Sequence, residues 1–153
     1  MKKLCLIVLS SIFLSCRFNS NSEEKTNYNL EMKAYDAFNS GDFLFSIHCY
    51  DKLIKKDSLI GRYYYGRGWS YAGIIRFQEA AKDFLKSAEL NYRKADSYNK
   101  LGGCYAFLKK DSVALIYYRK AYEIDPGDSE NQLDYYKCLK RLNDTTNKTR
   151  YQQ

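Results

Sequence analysis

Between residues 27 and 142, apolar side chains recur at offsets of three and four, in stretches separated by short polar or small-residue breaks. That spacing puts the apolar residues of each stretch on one helical face. The stretches predict seven helices, at 27–39, 43–56, 61–74, 77–90, 95–108, 111–124 and 129–142, and no strand. In Asp96–Pro126, Tyr98, Leu101, Gly102 and Tyr105 share one face, and Ala114, Tyr118 and Ala121 share the face of the next helix. Pro126-Gly127 ends that second helix, because proline lacks the N–H and clashes with the preceding turn.

The pattern returns when the frame is moved back by 34 residues. Tyr98 then falls on Tyr64, Gly102 on Gly68, Tyr105 on Tyr71, Ala114 on Ala80 and Tyr118 on Phe84. A second shift by 34 gives a weaker match, with Leu30, Ala34, Ala37, Ser46 and Tyr50 at the same places. Gly41-Asp42, Ile75-Arg76 and Lys109-Lys110 occupy the turns. Small residues at Ala34, Gly68 and Gly102 predict close helix contacts, with Ala80 and Ala114 meeting them from the second helix and Tyr71, Phe84, Tyr105 and Tyr118 filling the space around them. Arg67 and Lys33 fall at interior places, and their charged heads are expected to snorkel to water.

These residues resemble the tetratricopeptide repeat (TPR) family. Its pattern is an aromatic, Leu-Gly, Tyr, Ala, a second aromatic and a late Pro. Tyr98, Leu101, Gly102, Tyr105, Ala114, Tyr118 and Pro126 match every place; the middle repeat departs at Arg67 and Tyr92, the first at Lys33 and Ser58. The resemblance implies an all-α fold, a right-handed α-solenoid of three helix-turn-helix repeats at 27–60, 61–94 and 95–128. A capping helix at 129–142, with the apolar stripe Leu133, Tyr136, Leu139 and Leu142, would cover the last repeat. Residues 143–153 are polar and read as a flexible tail.

The N-terminus has a different character. Met1, Lys2 and Lys3 precede an uncharged run, Leu4–Ser15. The run is too short for a membrane span, which needs about 20 apolar residues, and suits a signal peptide at 1–15. Phe13-Leu14-Ser15-Cys16 resembles the lipobox of bacterial lipoproteins, although that family usually has Leu where Phe13 stands. The resemblance implies a lipidated Cys16 and a polar tether to residue 26. It places the protein in the bacterial cell envelope, lipid-anchored at the periplasmic side or outer membrane. Secretion in soluble form and an uncleaved anchor are the other readings of the leader.

Composition adds to this picture. The 16 Tyr, 8 Phe and one Trp exclude a disordered chain, and one Pro with 8 Gly argues against a turn-rich β-fold. Cys49, Cys104 and Cys138 are an odd number in an exported chain and read as small buried hydrophobes. The net charge is +7, spread along helices rather than gathered in one strip. Nucleic acid is therefore not an expected partner, and attraction to an anionic membrane is favoured over it.

Chemistry is scarce. His48 is the only histidine and has no metal-ligand spacing around it. No nucleophile elbow or phosphate loop is present, and no catalytic residue, metal or cofactor is expected. The protein is not expected to be an enzyme. In the family, the first helices of successive repeats line a concave groove. The residues facing it here would be Tyr35, Phe38, Arg62, Tyr65, Trp69, Asn99, Lys100, Gly103 and Lys137. Trp, Tyr and Arg dominate binding hot spots, so Trp69 with Tyr35 and Tyr65 could anchor a protein or peptide partner. The same aromatics could instead simply pack between neighbouring first helices. Some family members grip a C-terminal carboxylate with Lys and Asn. The matching places hold Glu31, Tyr35 and Gly66, so chaperone-tail binding is not implied. Two functions follow as expectations: an interaction scaffold or assembly factor of the envelope, or an accessory subunit contacting carbohydrate or peptidoglycan.

Overall fold

The computed structural model describes residues 24–151. The leader, Cys16 and the start of the tether lie outside the described residues. Seven helices follow one another: α1 at 24–39, α2 Phe43–Lys56, α3 Gly61–Gly73, α4 Phe77–Glu89, α5 Lys94–Phe107, α6 Asp111–Ile124 and α7 Ser129–Tyr151. The described residues contain no strand. Consecutive helices pack against each other throughout α2–α7, as a stack of hairpins must.

Two ends differ from expectation. α1 begins at residue 24, inside the expected tether, with Glu24 in the first turn where a carboxylate suits the helix dipole. α7 runs on past 142 to Tyr151, because nothing in Asn143–Arg150 is a proline or glycine that would stop it.

The turn inside each hairpin repeats at the period of the sequence. Gly41, Ile75 and Lys109 all adopt the left-handed conformation, with φ of 83°, 63° and 60°. In each, two hydrogen bonds close the helix end: Arg76 N donates to Tyr71 O and Ile75 N to Ala72 O, with the same pairs 34 residues to either side. This is the Schellman arrangement, which satisfies carbonyls that the helix leaves unpaired. Asp42 then caps α2 by accepting from Phe45 N at 3.1 Å.

The core forms one cluster per junction. Ala34, Cys49, Tyr50, Leu53 and Tyr63 make the first, Ala80, Ala81, Phe84, Leu101 and Cys104 the second, and Ala114, Tyr118 and Cys138 the third. The three cysteines are buried and free. The small residues make room for rings: a Cβ on Gly68 would lie 3.1 Å from Phe84 Cε1, and one on Gly102 would lie 2.8 Å from Tyr118 Cδ1. Serine pairs replace apolar contacts at two places. Ser46 and Ser70 share a buried hydrogen bond of 2.9 Å, and Ser97 donates to Ser87 at 3.0 Å.

Arg67 departs from the expectation that its head reaches water. Nε and Nη2 each donate to Asp83 at 2.7 Å, and Nη1 donates to Asp51 at 2.6 Å. Burial alone would lower its pKa, but the two carboxylates prevail and raise it, so the guanidinium stays charged. Lys33, the equivalent residue one repeat earlier, is exposed.

Candidate functional site

α1 and α3 lie along one side of the stack and bound a cavity of about 500 Å³. Tyr35, Phe38, Arg62, Tyr65 and Trp69 all line it. Their offsets within α1 and within α3 are multiples of three and four, which keeps each set on one helical face. A second cavity, of about 290 Å³, lies beside the first and shares Trp69 with it; Asn99, Lys100 and Gly103 line this one. Lys137 is exposed on α7 and lines neither.

The groove aromatics divide into two kinds. Tyr35 is 55% exposed and so is available to a visitor. Tyr65 and Trp69 are half-buried and pack on the core: their rings meet edge-on at 6.4 Å, and each also meets Phe84, at 5.7 and 5.9 Å. Trp69 and Tyr65 form the floor, and Tyr35 stands free on the wall.

The charges around the groove are matched. Arg62 Nε donates to Glu31 at 2.9 Å. Arg93 pairs with Asp96 at 3.0 Å and also lies 5.1 Å from the centre of the Tyr65 ring. The Tyr65 hydroxyl donates to Asp96. Burial, and then this carboxylate, push the Tyr65 hydroxyl well above its ordinary pKa. Lys100 lies over Trp69 at 5.4 Å and donates to Glu130 at 2.6 Å. Asn99 is buried; it lines the second cavity, and its amide donates to Asp134 at 3.1 Å, which ties α5 to α7. Of the basic residues expected on this face, Arg62 and Lys100 are thus each answered by a carboxylate, whereas Lys137 takes part in none of the ion pairs among the described residues.

Several groove residues escape sequence reading. Tyr28 and Met32 precede Tyr35 by seven and three residues, and the helical offset was a usable signal for both. Tyr92 and Arg93 come from the α4–α5 connection, where Tyr92 stacks edge-on with Tyr65 at 5.7 Å. Periodicity says nothing about a connection, so only the packed structure could bring them in.

His48 is exposed beside the Phe45 ring, at 6.5 Å. Among the described residues, no group of three or more His, Cys, Asp or Glu side chains could hold a metal ion. Burial pushes the Cys104 thiol up to about 12, far from the range of a reactive thiolate.

Comparison with known proteins agrees with the repeat geometry. Two family profiles, each described as tetratricopeptide repeat, match residues 31–89 and 95–128, together more than half of the chain. The Hsp70-Hsp90 organizing protein 2 of Arabidopsis thaliana is 26% identical over 111 residues, which is 72% of this chain and 19% of that protein. The chain thus spans about a fifth of that relative's length. Among solved structures, the first TPR of Spaghetti (RPAP3) bound to HSP90 peptide SRMEEVD aligns with a TM-score of 0.70 and 23% identity. That alignment covers 76% of this chain and 92% of the other. YrrB, described as a TPR protein with an unusual peptide-binding site, aligns with a TM-score of 0.67 and 25% identity, over 80% of this chain and 64% of that one. The 34-residue period, the three matching hairpin turns and these matches together show that this chain belongs to the tetratricopeptide repeat family.

Proposed function

We propose that this protein is a membrane-tethered interaction module that holds a segment of a partner protein in the groove between α1 and α3. The observation that carries the reading is the groove itself. It is aromatic, open at Tyr35, and internally neutral because Arg62 and Arg93 are already paired. A partner gains most there by burying apolar or aromatic side chains on a rigid floor, and little by bringing a charge. The compared RPAP3 domain binds a peptide ending in Asp. Here Glu31 stands inside the groove and Gly66 and Tyr35 occupy the other expected gripping places, which disfavours an incoming carboxylate. The partner segment is therefore an internal or amidated-like stretch rich in apolar residues.

The tether belongs to the same reading. The basic start, the apolar run Leu4–Ser15 and Cys16 support export and lipidation in a bacterial envelope. Among the described residues, no helix is long and apolar enough to cross a membrane. Two or three acyl chains at about 0.8 kcal/mol per buried methylene anchor stably where one does not.

The test is a photoreactive residue in place of Tyr35, with crosslinking in cells. A discrete protein adduct that disappears when Trp69→Ala is added supports the groove. Capture of glycan alone, or an unchanged adduct in the double variant, overturns it. Intact mass of the membrane-extracted protein tests the tether: a chain starting at Cys16 with added acyl mass supports it, and an unmodified cysteine overturns it.

A further inference from the structure

A second cavity-lined face exists on the first hairpin, away from the groove. It encloses about 670 Å³ and is lined only by residues of α1 and α2. Lys33, Lys52, Lys55 and Lys56 share it, with Thr26 and Asn29 beside them, and no acidic or aromatic side chain lines it. None of the four lysines takes part in the ion pairs among the described residues. Lys56 Nζ donates to Asn27 Oδ1 at 2.9 Å, a neutral partner. This contrasts with the groove, where Arg62, Arg93 and Lys100 are each matched by a carboxylate. Lys55 and Lys56 lie in the last turn of α2 and suit its dipole, but Lys33 and Lys52 have no such role.

Four unmatched lysines on one face repel one another unless something anionic covers them. Two observations select a lipid surface over an acidic polypeptide. The face offers no aromatic floor on which a peptide could settle. It also lies at the N-terminal end of α1: Thr26 is part of the lining, and Leu4–Ser15 and Cys16 precede that helix in the sequence.

We propose that the Lys33, Lys52, Lys55 and Lys56 face rests on an anionic phospholipid surface and holds the groove turned away from it. The inference rests on the anchored reading only for what brings the chain to the membrane. The orientation follows from α1. At about 100° per residue, Thr26, Asn29 and Lys33 fall on roughly the opposite side of the helix from Glu31, Tyr35 and Phe38. A chain lying on its lysines therefore offers the groove to the aqueous side, where a partner can reach it.

The experiment mixes the full chain with vesicles of phosphatidylglycerol and phosphatidylcholine, or of phosphatidylcholine alone. An amine-acetylating reagent is added and each lysine's reactivity is read by mass spectrometry. Each lysine near an anionic surface strengthens binding about fivefold. The four lysines are therefore expected to lose reactivity at least fivefold on anionic vesicles and to keep it on neutral ones. In 0.5 M salt the loss is expected to reverse, because the screening length shrinks to a few ångströms, about 4 Å. Lys82, Lys109 and Lys110 serve as references and are expected to stay reactive throughout. The variant K33Q/K52Q/K55Q/K56Q, altered only at exposed positions, is expected to lose the anionic preference. Equal reactivity on both vesicle types overturns the inference. So does uniform protection of all seven lysines, or protection produced only by an added acidic polypeptide. A chain that ignores neutral vesicles yet shows the four-lysine protection on anionic ones refutes the anchor and keeps the lysine face.

Discussion

Arg67 holds Asp83 with two hydrogen bonds of 2.7 Å across the α3–α4 crossing, and the carboxylate beneath them is almost fully buried. The family pattern has Leu at this place, so this repeat has exchanged an apolar contact for a buried ion pair with a third partner, Asp51. The exchange is sustained only while both charges are present. Arg67→Ala should cost about 3–5 kcal/mol, because it strips the Asp83 carboxyl, already pushed up by burial, of its main partner in the interior. Arg67→Leu combined with Asp83→Leu should recover most of that loss, since a well-packed apolar pair is often as stable as a buried ion pair. Urea denaturation of the two variants decides it; equal destabilisation by both would show that the pair is not the source.

Gly102 and Gly103 are adjacent but have opposite surroundings. A Cβ on Gly102 would meet Tyr118 Cδ1 at 2.8 Å, while one on Gly103 finds nothing nearer than the Tyr118 hydroxyl at 3.7 Å. Gly102→Ala should therefore destabilise by about 1–3 kcal/mol through overpacking. Gly103→Ala should stabilise by up to about 1 kcal/mol, the helix-propensity difference. Thermal unfolding of both variants tests the contrast, and a shared sign would contradict it.

Ile75 carries a β-branched side chain in the left-handed conformation, at φ 63°, where its counterpart in the first hairpin is Gly41. It is also exposed, so little packing is lost by removing it. Ile75→Gly should stabilise by about 1–2 kcal/mol, the cost of that conformation for a residue with a Cβ. Gly41→Ala, at φ 83°, should destabilise. Chemical denaturation midpoints moving the other way would refute the turn assignment.

Alkaline stability should fall in a defined window. Burial holds Cys104 at about 12 against an ordinary 9.0, and Tyr50 at about 12 against 10.0. The folded state thus keeps protons that the unfolded state releases. The stability from these groups is whole below pH 9 and is lost as pH rises from 9 through 12. Cys104→Ala should flatten the start of that decline; a pH-independent midpoint between 8 and 11 in the parent protein would contradict it.

The helices and their faces were legible because a core face at a period of 3.6 leaves a trace in any chain, and a repeat writes it three times. Gly68 and Gly102 could be recognised as contact points, with Phe84 and Tyr118 expected around them, yet that these rings, rather than Ala80 and Ala114, come nearest to the glycines emerged only on packing. Groove residues on helices, such as Tyr35 and Trp69, were readable by offset; Tyr92 and Arg93, held in a connection, were not. Asn99 was readable by its place on α5 and lines the adjoining cavity, but its hydrogen bond to Asp134 of α7 came only with the packed structure.

By itself the amino-acid order determined the hairpin period, the turn positions and the small-to-large rhythm of the core, since each depends on neighbours a few residues apart. Only the tertiary structure decided which charges remain unmatched. Arg62, Arg67 and Lys100 find carboxylates on other helices, whereas Lys33, Lys52, Lys55 and Lys56 take part in none of the ion pairs among the described residues. Pairing of charges between helices depends on distances across the fold, and no local pattern encodes those distances.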